Sequence, residues 1–244
     1  MGIPFRCAVV LLCGLVALSA GFDVDPMHVP IHSPIRRRLL LVGDAFHGDE
    51  IHAQNGERWL ALLPTPKGYR TEMVNLRITP VRDPVLDAER PFTGKRVRIR
   101  SAGTPVILLN GFAHLARRAV PTARAGNFPL TAEIPVNFRF AGSKVELAVT
   151  PSGQSAEVPG GRRVPILHVT LRQHGRLTTL PLVVAEEGNY VNLLWAGDLD
   201  GDGRLDLLFE DTGYNWYSTR LFLSSAAKPG QFVGEVAQFY GTGC

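Results

Sequence analysis

Asp198, Asp200, Asp202 and Asp206 occupy positions 1, 3, 5 and 9 of one short segment, Asp198-Leu199-Asp200-Gly201-Asp202-Gly203-Arg204-Leu205-Asp206, with Gly203 at position 6. A loop curling over such a stretch turns alternate carboxylates to one side. Glycine at the sixth place supplies a backbone conformation that a residue with a Cβ reaches only at a cost. The ligand at position 7 of such loops is a backbone carbonyl, here that of Arg204, so its side chain is free to be basic. Every donor is a hard oxygen, with no Cys or His, and that chemistry selects calcium over zinc or copper. Without a cation the carboxylates would crowd together with Arg204 as their near compensation, and like charges at that range repel. An Asp-Gly turn that binds nothing does not require this many acids at ligand spacing. The expected metal ligands are Asp198, Asp200, Asp202, Arg204 and Asp206, and the expected cofactor is Ca2+, holding two strands together rather than taking part in a reaction.

Position 12 of the loop is Phe209, where an EF-hand carries a bidentate Glu. The flanks, 190–195 and 205–209, read as strands rather than helices. On these residues the segment Trp195-Ala196-Gly197-Asp198-Leu199-Asp200-Gly201-Asp202-Gly203-Arg204-Leu205-Asp206-Leu207-Leu208 resembles an FG-GAP/VCBS-type repeat, the calcium-binding β-repeat of integrin propellers and bacterial secreted proteins. The resemblance implies an ion seated in a β-hairpin turn, with Asp198, Asp200, Asp202 and Asp206 as its side-chain ligands. It covers a small part of the chain. Tyr214-Asn215-Trp216-Tyr217-Ser218-Thr219-Arg220-Leu221-Phe222-Leu223-Ser224-Ser225 also resembles uncharacterised bacterial proteins carrying one such motif. Propeller blades repeat, and this chain holds a single convincing copy, which argues against a full propeller. Gly43-Asp44 with Gly48-Asp49 echoes the motif, but His47 and Glu50 break the ligand register.

The elements that must position this loop are strands. Short apolar runs punctuated by Gly and Pro predict strands at 58–63, 73–79, 95–100, 106–109, 134–140 and 144–149. In the last of these Val145, Leu147 and Val149 share the inward face. One short helix is expected after Asn110, with Phe112, Leu115, Ala116 and Ala119 on one side. Residues 151–161, rich in Pro, Gly and Ser, mark the expected boundary between an N-terminal β-rich region at 36–150 and a C-terminal β-meander at 162–244. In the meander, 166–172 and 176–183 flank Gln173-His174-Gly175, which suits a tight hairpin turn. Strands at 190–195, 205–209 and 216–223 follow. The expected fold is mainly β, with antiparallel sheets in a β-sandwich-like arrangement and the calcium loop as a hairpin of the C-terminal meander.

The amino terminus reads as an export signal over residues 1–20: Arg6, an apolar run at 7–18, and Ala17-Leu18-Ser19-Ala20 for cleavage. The run is short of the roughly 20 apolar residues a membrane span needs. Cleavage would remove Cys7 and Cys13 and leave Cys244, so no internal disulfide is expected. The expected location is exported, periplasmic or secreted, the bacterial part of that reading coming from the resemblance. The net charge of +4 becomes +3 when Arg6 is subtracted, which is not a nucleic-acid-binding composition. Arg96, Arg98 and Arg100 alternate with Val97 and Ile99 and so share one strand face, either simply solvated or turned to an anionic surface such as lipid headgroups or an acidic polysaccharide.

No catalytic centre is expected. Pro30 and Pro34 forbid a metal-binding helix for His28 and His32. His47, Asp49 and His52 could approach one another but read as polar side chains facing water. The chain has no G-x-S-x-G elbow, no H-E-x-x-H and no phosphate-binding glycine loop. Glu186-Glu187 and Glu210-Asp211 are adjacent and would point to opposite faces of a strand. Tyr190, Trp195, Tyr214, Trp216 and Tyr217, with Asn192 and Asn215, could either pack the core or offer a stacking platform to a sugar. The functional expectation is an exported calcium-binding β protein with a binding or envelope-associated structural role, its partner a glycan or another envelope protein. A calcium-ordered carbohydrate-binding module and a calcium-dependent hydrolase are the alternatives left open.

Overall fold

Runs of β-branched and aromatic residues, broken every few positions by Gly, Pro or Asp, favour extended backbone with tight turns over helix. The computed structural model describes residues 38–89, 92–101, 103–158, 162–184, 190–213 and 215–242. The expected export segment, His28, His32, Arg36, Arg37, Glu186, Glu187, Tyr214 and Cys244 lie outside the described residues. The fold is mainly β. In chain order the strands are β1 (Arg38–Leu40), β2 (Gly43–Phe46), β3 (Arg58–Thr65), β4 (Gly68–Val81), β5 (Gly94–Ile99), β6 (Ile107–Asn110), β7 (Ala119–Val120) and β8 (Thr122–Leu130). They continue with β9 (Val136–Phe140), β10 (Ser143–Val158), β11 (Arg162–Gln173), β12 (Arg176–Val184), β13 (Tyr190–Gly197), β14 (Asp206–Thr212), β15 (Trp216–Leu223) and β16 (Gly234–Thr242).

A 12-stranded sheet runs β2-β5-β4-β3-β6-β1-β16-β15-β14-β13-β8, with β7 pairing β4 off that path. A second sheet of four strands runs β12-β11-β10-β9. Neighbouring strands are antiparallel throughout, except that β1 lies parallel to β16. The large sheet thus takes strands from both sides of residues 151–161. Strand β10 itself runs to Val158, and the Pro, Gly and Ser at 151–155 form an irregularity in its pairing with β11. The β9–β10 and β11–β12 hairpins close on left-handed residue pairs: Ala141 and Gly142 have φ of 45° and 80°, and His174 and Gly175 of 50° and 73°, the geometry a two-residue type I′ turn demands.

Two apolar clusters share the strands that carry the acidic loop. Trp195, Leu208, Leu221 and Leu223 point into one, alongside Trp59, Leu60, Leu62 and Leu108 of the N-terminal strands. Leu193, Leu207, Phe209 and Phe222 point into the other, against Val145, Leu147, Val169, Leu171, Leu180 and Leu182 of the small sheet. Successive side chains on a strand face opposite ways. That is why Leu207-Leu208-Phe209 is an unbroken apolar run: β14 is buried on both faces. Each such side chain contributes about 1.5–3 kcal/mol on burial, so the hairpin rests on a rigid base.

The helix expected after Asn110 is a single 3-10 turn, Ala113–Leu115. Phe112 and Leu115 are buried as expected, but Ala119 belongs to β7. The turn cannot continue because Arg117 takes φ of 61°. Its amide donates to the Thr71 carbonyl at 2.9 Å, while the Arg118 carbonyl accepts from the Thr71 amide at 2.9 Å. Strand pairing outcompetes the helix. Strands β8 and β16 had no clear sequence signal. In β8, Gly126 and Pro129 interrupt the pattern, and both are tolerated because β8 is the sheet edge.

Candidate metal centre

The acidic loop spans 198–205 and joins β13 to β14, whose ladder closes at the pair Gly197–Asp206. Gly197 is required at its base: a Cβ there would collide with the Pro121 carbonyl and the Trp195 ring. The Asp198 amide donates to that same carbonyl at 2.8 Å, tying the loop to the start of β8. Leu199 and Leu205 are buried and pull both arms of the loop inward. Gly201 and Gly203 both take φ of 79°, which leaves the peptide amides between the acids free to turn back on the carboxylates.

Those carboxylates are built into the loop by backbone donors. Asp198, itself buried, accepts from the Gly201 amide at 2.5 Å and the Gly203 amide at 3.1 Å. Asp206, with no exposed surface, accepts from the amides of Leu199 at 2.7 Å and Asp200 at 3.3 Å through one oxygen. Its other oxygen accepts from the Ser224 amide at 2.8 Å. Asp200 accepts from the Asp202 amide at 3.3 Å and from the Ser225 hydroxyl at 2.5 Å. Asp198, Asp200 and Asp206 each bring one carboxylate oxygen to within 4.8 Å of the others. Calcium takes oxygens at about 2.3–2.6 Å, so ligands on opposite sides of the ion stand about 4.6–5.2 Å apart. The triad fits that span. The set is all carboxylate oxygen, which does not by itself separate calcium from other hard cations.

Asp202 and Arg204 sit differently. The Asp202 carboxylate accepts from the Arg204 side chain at 2.8 and 2.7 Å, from the Arg204 amide at 2.8 Å and from the Ser224 hydroxyl at 2.7 Å. Asp202 thus lies outside the converging triad. Ser224 and Ser225, on the 3-10 turn after β15, close the loop from the far side. The sequence signalled neither as part of the site, because a hydroxyl after a strand has no ligand spacing of its own; only the β14–β15 pairing brings it there.

The electrostatics separate the acids. Burial, reinforced by the nearby charge of Asp200, pushes the Asp206 carboxyl up to about 7 despite the three amides that favour its ionised form. Burial acts on Asp202 in the same sense, but the bonds from Ser224 and Arg204, with the Arg204 charge, outweigh it and hold this carboxyl below its ordinary value. Arg204 is spent on Asp202, and the Arg118 guanidinium lies against Gly201 without forming an ion pair to the buried acids among the described residues.

The remaining site residues expected from sequence are dispersed. Trp195 is fully buried and donates its indole N–H to Thr122 at 3.1 Å, while Asn192, also buried, donates to Glu210 at 3.3 Å. Tyr190 is half exposed, and Trp216 stacks on Tyr240 with centroids 6.2 Å apart. These aromatics form no single exposed platform among the described residues. His47 lies 2.5 Å through Nδ1 from the buried Asp83, a partner 36 residues away that no local motif indicated, while Asp49 and His52 face solvent. Comparison with known proteins yields no match to a family model, to a curated protein or to a solved structure.

Proposed function

We propose that this chain is an exported calcium-binding β protein in which one ion fastens the β13–β14 hairpin, and that its role is binding or envelope-associated structure. The observation that carries the reading is the convergence of Asp198, Asp200 and Asp206 at calcium-ligand separations in a loop whose base is buried on both faces. The resemblance of this segment to an FG-GAP/VCBS-type repeat supports calcium among the hard cations and adds Asp202 as a further ligand, and the loop spacing adds the Arg204 carbonyl at position 7. An ion there would neutralise the buried Asp206 and link the loop to β15 through the residues that already hold its carboxylates. The export reading rests on residues 1–20, and an extracellular or periplasmic setting suits a loop of modest affinity.

Calorimetric titration of residues 21–244 with calcium and with magnesium tests this, with Asp200→Ala/Asp202→Ala as the control. One calcium per chain, weaker magnesium binding and no heat in the control are the expected results. Absence of calcium binding to the folded chain overturns the proposal.

A further inference from the structure

Far along the large sheet from the acidic loop, strands β3, β4 and β5 turn a second charged feature outward. Val97 is buried, so Arg96, Arg98 and Arg100 occupy the opposite face of the β5 run. The ladder pairs Arg98 directly with Arg77 of β4, and Arg96 with Thr79. One strand further, Arg58 of β3 pairs with Asn75. These five guanidiniums line an open groove of about 1240 Å³.

Two carboxylates face them. Asp44 of β2 is shared between Arg96, at 3.4 Å, and Arg98. Glu72 is taken by Arg70 at 2.6 Å. Arg58, Arg77 and Arg100 have no ion-pair partner among the described residues. Placing two arginines directly opposite each other on one sheet face is destabilising, because like charges stand at cross-strand contact distance. Asp44 offsets Arg98, but Arg77 directly opposite, with Arg58 and Arg100, keeps an uncompensated charge that an external anion would neutralise.

The geometry points to an acidic polysaccharide, a carboxylated or sulfated glycan chain, laid along this groove. Arginine presents a planar fork that matches carboxylate and sulfate oxygens two at a time. Alternate residues on a strand are about 6.6 Å apart, so Arg96, Arg98 and Arg100 form a row suited to anions repeated along a polymer. Asn55, Asn75 and Thr79 line the same groove and offer amide and hydroxyl groups to sugar hydroxyls. No aromatic side chain lines it, which leaves single-stranded nucleic acid without a stacking surface. The groove is concave, whereas a bilayer surface is flat. This reading does not depend on calcium at the β13–β14 loop.

The test is fluorescence anisotropy with labelled polygalacturonate oligosaccharide and labelled dextran sulfate. Neutral dextran, a single-stranded oligonucleotide and anionic phosphatidylglycerol vesicles serve as comparisons. Binding to at least one acidic glycan, weakening steeply with added salt, is expected. Arg58→Ser/Arg77→Ser/Arg100→Ser should weaken it at least about tenfold, since these three guanidiniums have no structural partner to lose. Asp44→Asn should strengthen it, by releasing Arg96 and Arg98 for the ligand. That variant keeps the proposal testable should the triple variant fail to fold. No binding to either acidic glycan at low salt, binding unchanged by both variants, or tighter binding to the oligonucleotide or the vesicles overturns the inference.

Discussion

Changing Asp198 to Asn separates the two tasks that its carboxylate can perform. That carboxylate accepts the Gly201 and Gly203 amides, at 2.5 and 3.1 Å. The amide side chain retains one acceptor oxygen and turns an N–H toward the other donor, so one hydrogen bond is lost, about 1 kcal/mol. For a chain of this size that is a fall in Tm of about 2–4 °C. In calcium the wild-type chain gains a further term. With a Kd near 10⁻⁴ M, the range of extracellular calcium modules, about 10 mM calcium stabilises the folded state by about 2.7 kcal/mol. The variant exchanges one of three converging carboxylates for a neutral amide whose single oxygen is a weaker calcium ligand and is also sought by the loop amides, and so loses most of that gain. The expected wild-type-to-variant gap is therefore about 1 kcal/mol in EDTA and about 3–4 kcal/mol in calcium. The assay is a thermal or urea melt of both proteins in both buffers at about pH 8, where the Asp206 carboxyl, shifted to about 7, is mostly ionised. Magnesium at the same concentration controls for ionic strength. An equal gap in EDTA and in calcium refutes the reasoning: the acids would then serve the loop's own amides and nothing more.

Three further outcomes are expected. Asp200→Asn should abolish the calcium-dependent rise in Tm, whereas Asp202→Asn should reduce it and leave a measurable rise, because Asp202 lies outside the triad and is held by Arg204 and Ser224; the opposite ranking would reverse the ligand assignment. Arg220→Met should cost about 3–5 kcal/mol in a urea melt, since it leaves two acids without their cation inside the protein. Arg220 contacts Glu235 at 2.5 Å and Asp211 at 3.8 Å, and donates to the Pro181 carbonyl of the small sheet at 2.6 Å; a loss under about 1 kcal/mol would show that this cluster does not join the sheets. His47 is raised above its ordinary value, chiefly by its hydrogen bond to Asp83, against the opposing effect of burial and with help from the charges of Asp83, Glu50 and Asp49. A raised imidazole stabilises fully below its unfolded pKa, about 6.5, and that contribution is lost as pH rises through the folded value. The stability difference between wild type and His47→Gln should therefore shrink as pH rises above about 6.5, and a constant difference would rule out a charged pair.

The strand content and much of the turn chemistry were legible in the residues. Val145, Leu147 and Val149 alternate and are buried, and Gln173-His174-Gly175 closes the hairpin expected of it. Both are local effects, set by side-chain period and by left-handed backbone at the turn. The helix expected after Asn110 does not form, although its apolar spacing is real, because Arg117 and Arg118 find backbone partners on β4 that a helix could not supply. Strand β8 carries no clear sequence signal because its Pro129 and Gly126 are tolerable only at an edge, and being an edge is a property of the sheet. The acidic loop was legible as a set of oxygens at ligand spacing, but its surroundings were not. Ser224 and Ser225 reach it through strand pairing, and Asp83 reaches His47 from 36 residues away.

What the sequence by itself determined is therefore the local chemistry: extended backbone, tight turns, and acids alternating beside glycines that let amides fold back on them. The tertiary structure alone decided which of those acids lose contact with water. Asp206 is buried because β14 lies between two cores, and Asp202 keeps its charge because Arg204 and Ser224 hold it. Spacing along the chain sets which groups can meet; burial and partners from distant strands set the charge each one carries when they do.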